Sequence, residues 1–203
     1  MDGLKKELKV IFVQLLLLLQ SIHIIESLEH PLGIPPNDHG IQPQIYHKEV
    51  IRPMKGQIFQ TIDVLSPEWS LEFQFRAYDR FDRWGGLFDF KGPSIDKNPR
   101  VLLFQTPETG QTRMRIISSV SGNSLHAVEF TIGNMNETNS VKIQQRYISN
   151  GQYLYSVFLN GKEKHSTLNT MAKQDYNVKM YFSDGLHKPA QIDVWNLKHT
   201  NFL

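Results

Sequence analysis

The residues best suited to recognition chemistry stand together in YDRFDRWGG, from Tyr78 to Gly86: two acids, two arginines, the aromatic pair Phe81 and Trp84, and two glycines. A polar ligand such as a saccharide needs an aromatic plate with hydrogen-bonding groups beside it, and glycine lets the backbone come close. Asp82, Arg83 and Trp84 are therefore candidate ligand-binding residues, and Asp184 in the loop SDGLHKP is a fourth. The competing reading of Trp84 is that it opens the next strand and packs beneath the loop. Trp195 beside Asp193 is a second candidate plate.

Catalytic arrangements are harder to find. Retaining glycoside hydrolysis needs two carboxylates about 5 Å apart, one as nucleophile and one as acid. Asp63, Asp89 and Asp193 each lack a second carboxylate two or four positions away. There is no G-x-S-x-G elbow for serine chemistry, no phosphate-cradling glycine loop and no H-E-x-x-H zinc helix. Catalytic residues are therefore expected to be absent, and no cofactor is required. Calcium is the alternative, with Asp79, Asp82, Asp96, Asn98 and Asp184 as loop oxygens. A site needs about six to eight such oxygens, and Arg80, Arg83, Lys97 and Lys188 are interspersed among these. His30, His39 and His47 lie in a Pro-rich stretch that lacks the rigid second shell metal ligands need.

Composition narrows the partners. Lys and Arg number 22 against 20 Asp and Glu, a formal net charge of +2, and the signs are mixed along the chain. No field points to nucleic acid. Cysteine is absent, which removes thiol catalysis, thiolate zinc sites and disulfides. At the start, Lys5, Lys6 and Lys9 precede the apolar run from Val10 to Leu19, with Ser21 and Ser27 beyond it. Basic flank, apolar core and small residue form a secretory leader. The run is shorter than the roughly 20 apolar residues of a spanning helix, so no membrane span is expected after cleavage.

Residues 1–27 are thus expected to be a signal peptide. Residues 28–55 form a Pro-rich segment in which Pro31, Pro35, Pro36, Pro43 and Pro53 forbid a helix or a central strand. From residue 56 to 203 the period is two. In WSLEFQFRA, Trp69, Leu71, Phe73, Phe75 and Ala77 alternate with polar residues, so one face is buried. Similar runs recur, several of them joined by Asn150-Gly151, Asn160-Gly161 and Asp184-Gly185. The expectation is an all-β antiparallel sandwich of roughly ten to twelve strands. Asn136-Glu137-Thr138, between two of those runs, is a glycosylation sequon in an exported context.

The run GQYLYSVFLNGKEKHSTLNT followed by YNVKMYFSDGLHKPAQIDVWNLK resembles the C-terminal half of concanavalin-A-like and laminin-G-like jelly rolls. The matching residues are Asn160, Gly161, Val178, Lys179, Met180, Tyr181, Asp184, Ile192, Asn196 and Leu197. The chain is also similar to secreted single-domain proteins of marine invertebrates, some of them shell or skeletal matrix proteins. In these, a loop of Arg-x-Pro or Pro-Arg character stands where Asp96, Asn98, Pro99 and Arg100 lie. The resemblance implies a secreted jelly roll. The functional expectation is a non-catalytic structural or binding module of extracellular matrix, mineralised matrix included, whose partner is a matrix protein or a glycan. The alternative is a soluble lectin that binds glycans through edge loops, and a glycan-active hydrolase is the third reading.

Overall fold

The computed structural model describes residues 43–79, 84–93, 97–106, 109–133, 136–183 and 185–202. The expected leader and the first part of the Pro-rich segment, together with Asp82, Arg83, Asp96 and Asp184, lie outside the described residues.

Alternation becomes strand wherever one face can be buried. The strands are β1 (Ile45–His47), β2 (Gln57–Leu65), β3 (Trp69–Ala77), β4 (Gly85–Lys91), β5 (Lys97–Gln105), β6 (Thr112–Val120) and β7 (Asn123–Thr131). They continue as β8 (Asn139–Ser149), β9 (Gln152–Leu159), β10 (Lys162–Asn169), β11 (Asp175–Phe182), β12 (Lys188–Pro189) and β13 (Ile192–Asn201). One sheet has the order β1-β13-β3-β8-β9-β10; the other has the order β2-β11-β4-β5-β6-β7, with β12 beside β4. Pairing is antiparallel throughout, except for the two-residue β12–β4 contact. This is the expected all-β jelly-roll sandwich.

The inner faces meet in one apolar core. Leu71, Phe73 and Phe75 of β3 oppose Phe88 and Phe90 of β4, Met114 and Ile116 of β6, and Phe182 of β11, each at most 2% exposed. Across the layers Phe73 and Phe88 lie 5.0 Å apart near edge-to-face, and Phe88 lies 5.2 Å from Phe182. Each such side chain contributes about 2–3 kcal/mol of burial, so the core holds the two sheets together.

Three two-residue turns set the register of the hairpin strands. Asn150-Gly151 joins β8 to β9, Asn160-Gly161 joins β9 to β10, and Ser121-Gly122 joins β6 to β7, all with positive φ at both positions. That geometry matches the twist of antiparallel strands. Asn160 also reaches across to β8, where its Oδ1 accepts from the Ser140 N–H at 2.7 Å.

Two segments differ from the sequence expectation. Among the described residues the strands number thirteen, because short pairings lie in Pro-containing stretches that carry no alternation. β1 is an edge strand, where neighbouring prolines are tolerated, and it docks Ile45 into the core at 3% exposure. Asn98, Pro99 and Arg100, expected in a loop, belong instead to β5. Pro99 sits where the β4–β5 ladder is irregular between Asp89 and Lys91, so its missing N–H leaves no ladder bond unmade.

Candidate binding groove on the six-stranded sheet

The outer face of the six-stranded sheet collects polar side chains from segments far apart in sequence. Register runs one line across all six strands: Tyr46 of β1, Lys198 of β13, Glu72 of β3, Lys142 of β8, Phe158 of β9 and Glu163 of β10 are successive partners. Beside this line stand Gln74, Ser140, Gln144 and Asn196, and with Tyr46, Lys198, Glu72, Lys142 and Phe158 they line a groove of about 500 Å³ that stops short of Glu163.

A bulge places Lys198. Trp195 is opposite Gln74 and Lys198 is opposite Glu72, so β13 carries one residue more than β3 across this interval. In an unbroken strand Trp195 and Lys198 would point to opposite faces, because side chains alternate with period two. The extra residue, Asn196 at φ 49°, restores Lys198 to the outer face and sends Leu197 and His199 into the core. Asn196 also donates from Nδ2 to Gln74 Oε1 at 2.7 Å, which fixes both amides on the groove floor.

Lys142 Nζ lies 3.2 Å from Glu72 Oε1, and both side chains are 39% exposed. An ion pair in that setting is worth about 0–1 kcal/mol, so it aligns the two charges and leaves them free to exchange each other for a ligand. Tyr46 is 51% exposed, and Lys198 and Lys48 lie over its ring at 5.4 and 5.5 Å. Half-buried Phe158 supplies a second aromatic surface beyond Lys142. The groove thus presents two lysines and one carboxylate, amide donors and acceptors, and an aromatic ring on either side. It can hold an extended polar chain by stacking and hydrogen bonds. Among the described residues that line it, Glu72 is the one carboxylate, so acid–nucleophile hydrolysis has no partner group there.

Among the described residues singled out from sequence, Trp84 does not line this groove. Trp84 is half-buried on the outer side of the other sheet, 4.1 Å from the Phe104 ring, with the Arg115 guanidinium 5.5 Å from its ring centre. Arg113 lies over Phe104 at 5.7 Å, and Glu129 accepts both arginines as ion-pair partner at 3.6 and 3.3 Å. Trp84 directly precedes β4. Asp82 and Arg83 next to it, and Asp184, lie outside the described residues. Trp195 is half-buried on the groove side, opposite Gln74.

Two of the three isolated carboxylates, Asp89 and Asp193, are held by cations. Fully buried Asp89 accepts from Nε and Nη2 of Arg100, at 3.1 and 2.8 Å, and lies 3.2 Å from Lys91 Nζ. Asp193 accepts from Arg52 Nε at 2.8 Å and from Arg76 at 3.3 Å. The Arg52 hydrogen bond, with Arg76 adding, holds the Asp193 carboxyl below the usual carboxylate range against the opposing effect of burial. Asp63 is exposed. Asn98 donates to Asp175 at 2.5 Å, and among the described residues no three His, Asp or Glu side chains form a metal-binding group. Asn136 is exposed in a turn at φ 66°, its N–H bonded to the Ala77 carbonyl at 2.8 Å.

Sequence reasoning gives Glu72 and Gln74 as part of a solvated strand face but does not gather the groove. Its signal is register across strands, which no single segment carries.

No protein-family model matches the chain, and no curated protein matches it in sequence. Among solved structures it is similar to the heptameric SAP-like pentraxin of Limulus polyphemus, at 11% identity and a TM-score of 0.49, over 84% of this chain and 76% of that one. It is similar to the alginate lyase Aly36B in complex with alginate tetrasaccharide at 14% identity and a TM-score of 0.48, over 80% and 79% of the chains. The alginate lyase of Alteromonas sp. 272 aligns at 10% identity and a TM-score of 0.47, over 69% and 72%.

Proposed function

We propose that this chain is a secreted, non-catalytic binding module of extracellular matrix that holds an extended glycan in the groove of its six-stranded sheet. The observation that carries the reading is the register line Tyr46–Lys198–Glu72–Lys142–Phe158, which sets aromatic surfaces at both sides of a row of charges. Sugar rings stack on such surfaces while their hydroxyls and acidic groups meet lysines, amides and a carboxylate. The basic and apolar start of the chain supports export, and the exposed Asn136 sequon suits a secreted glycoprotein.

A place in shell or skeletal matrix is what the sequence resemblance to secreted proteins of marine invertebrates implies. With a net charge of +2 the chain is suited to binding other matrix molecules, since a mineral face rich in calcium favours a dense acidic surface. A single carboxylate in the groove, already paired with Lys142, supports binding without turnover.

A glycan array probed with the purified protein, followed by titration of its best glycan against Lys142→Ala, Lys198→Ala and Tyr46→Ala, tests this. Hydrogen bonds to charged groups are worth about 1.5–3 kcal/mol, so each lysine change is expected to weaken binding at least tenfold. A silent array with retained binding to matrix protein assigns the module to a protein partner. Glycan binding untouched by all three substitutions overturns the groove.

A further inference from the structure

The two sheets each end in an edge strand on the same side of the sandwich, β10 for the six-stranded sheet and β7 for the other. An open side of this kind is where facing edges can be joined by side chains. His126 in β7 is the partner of Ser118 in β6, and His165 in β10 is the partner of Val157 in β9, directly after a bulge between Glu163 and His165. Both imidazoles are half-buried, and their Nε2 atoms face each other at 3.0 Å with ring planes inclined by 40°. Behind them lies the ring of Tyr155, 6.0 Å from His126 and 6.4 Å from His165, anchored through its hydroxyl to Ser118 Oγ at 2.9 Å. The two rings therefore rest on rigid strands and on a fixed aromatic wall.

At that distance the two rings share a hydrogen bond, one Nε2 donating to the other; with the donor's proton moved to its own Nδ1, both Nε2 lone pairs become available as a ligand pair. With metal–nitrogen bonds of about 2.0–2.1 Å, a separation of 3.0 Å corresponds to an N–metal–N angle of about 94°. That is the cis angle of a square-planar or tetragonal ion; a tetrahedral ion would need the nitrogens about 3.3 Å apart. Imidazole favours copper, nickel and zinc over calcium or magnesium, and affinity rises along the series to Cu²⁺. We propose that His126 and His165 form a two-nitrogen site for a tetragonal divalent cation, Cu²⁺ foremost, that staples the open edges of the two sheets, its remaining positions filled by water. The site stands on β7, β9 and β10 and is independent of the groove reading.

The test is titration of the intact protein with Cu²⁺, Ni²⁺ and Ca²⁺ near pH 7.5, read by stoichiometry, by the nitrogen hyperfine pattern of bound Cu²⁺ and by melting temperature. The expected result is a site that takes Cu²⁺ and Ni²⁺ but not Ca²⁺, with two coordinating nitrogens and a melting temperature raised by several degrees. His126→Gln and His165→Gln should each remove one bound equivalent and the thermal shift. A second protein with His30→Gln, His39→Gln and His47→Gln leaves the pair intact and must still bind one equivalent through two nitrogens. Should either single variant fail to fold, that protein alone decides. Unchanged stoichiometry and thermal shift in both single variants, or no binding by the triple variant, overturns the site.

Discussion

His199 makes the stability of this protein depend on mildly acidic pH. It lies on the inner face of β13 opposite Leu71, 0% exposed, with its ring 5.6 Å from Phe90 and neither ring nitrogen hydrogen-bonded. Burial pushes its pKa from 6.5 down to about 4. The folded state therefore holds the neutral ring while the unfolded chain takes up a proton first. Stability from this group is fully present above about pH 6.5, is lost as pH falls towards 4, and is lost no further below that. Each pH unit of difference is worth about 1.36 kcal/mol, so the whole window amounts to about 3 kcal/mol and the loss at pH 5 to about 2 kcal/mol. His126 shifts in the same direction, so the measurement must be a difference. Urea unfolding of the wild type and His199→Leu at pH 7.5, 6.5, 5.5 and 5.0 supplies it. The leucine protein should lose about 2 kcal/mol less than the wild type between pH 7.5 and pH 5.0. A stability difference between the two that stays constant across that range would refute the buried, neutral imidazole.

Other predictions are direct. Gly161→Val, at φ +74° with no atom within 4 Å of the new Cβ, should cost about 1–3 kcal/mol through backbone strain alone, read from denaturant midpoints. The same change should weaken groove binding, because Gly161 lines it. Trp84→Ala breaks the stack with Phe104 and Arg115 and should destabilise by about 2–3 kcal/mol while leaving glycan affinity unchanged. Loss of glycan binding by a folded Trp84→Ala protein would restore that loop as the recognition surface. Expressed through a secretory pathway, the protein should carry one glycan removed by Asn136→Gln, visible as a mass shift on deglycosylation.

Much of the architecture was legible because its causes are local. A strand with one face buried must alternate, and β6 does so at every position from Thr112 to Val120. Two Asn-Gly pairs announce positive φ at both turn positions, and the structure has it there. Ser121-Gly122 makes the same turn with a less telling first residue, so its sequence does not announce it. The short pairings escaped for a different reason. β1 and β12 are held by neighbours supplied from elsewhere in the chain, β13 and β4, and nothing in their own three and two residues demands a strand.

The candidate groove was illegible because a site on a sheet face belongs to register. Tyr46, Glu72, Lys142, Phe158 and Lys198 each occupy an outward position, which from sequence reads as an ordinary solvated or boundary residue. Five segments must be aligned to within one residue before they form a line, since a slip by one sends every side chain to the opposite face. At β13 the alternation is itself interrupted, and the parity that Trp195 predicts for Lys198 is wrong until the extra residue is counted. Asn196 is the one trace of this in the sequence, for asparagine accepts the left-handed conformation better than other residues with side chains. The same residue then binds Gln74, so the device that corrects the register also fixes the groove floor. An aromatic in a charged loop is conspicuous in a linear reading, whereas this groove is made of residues that become conspicuous only side by side.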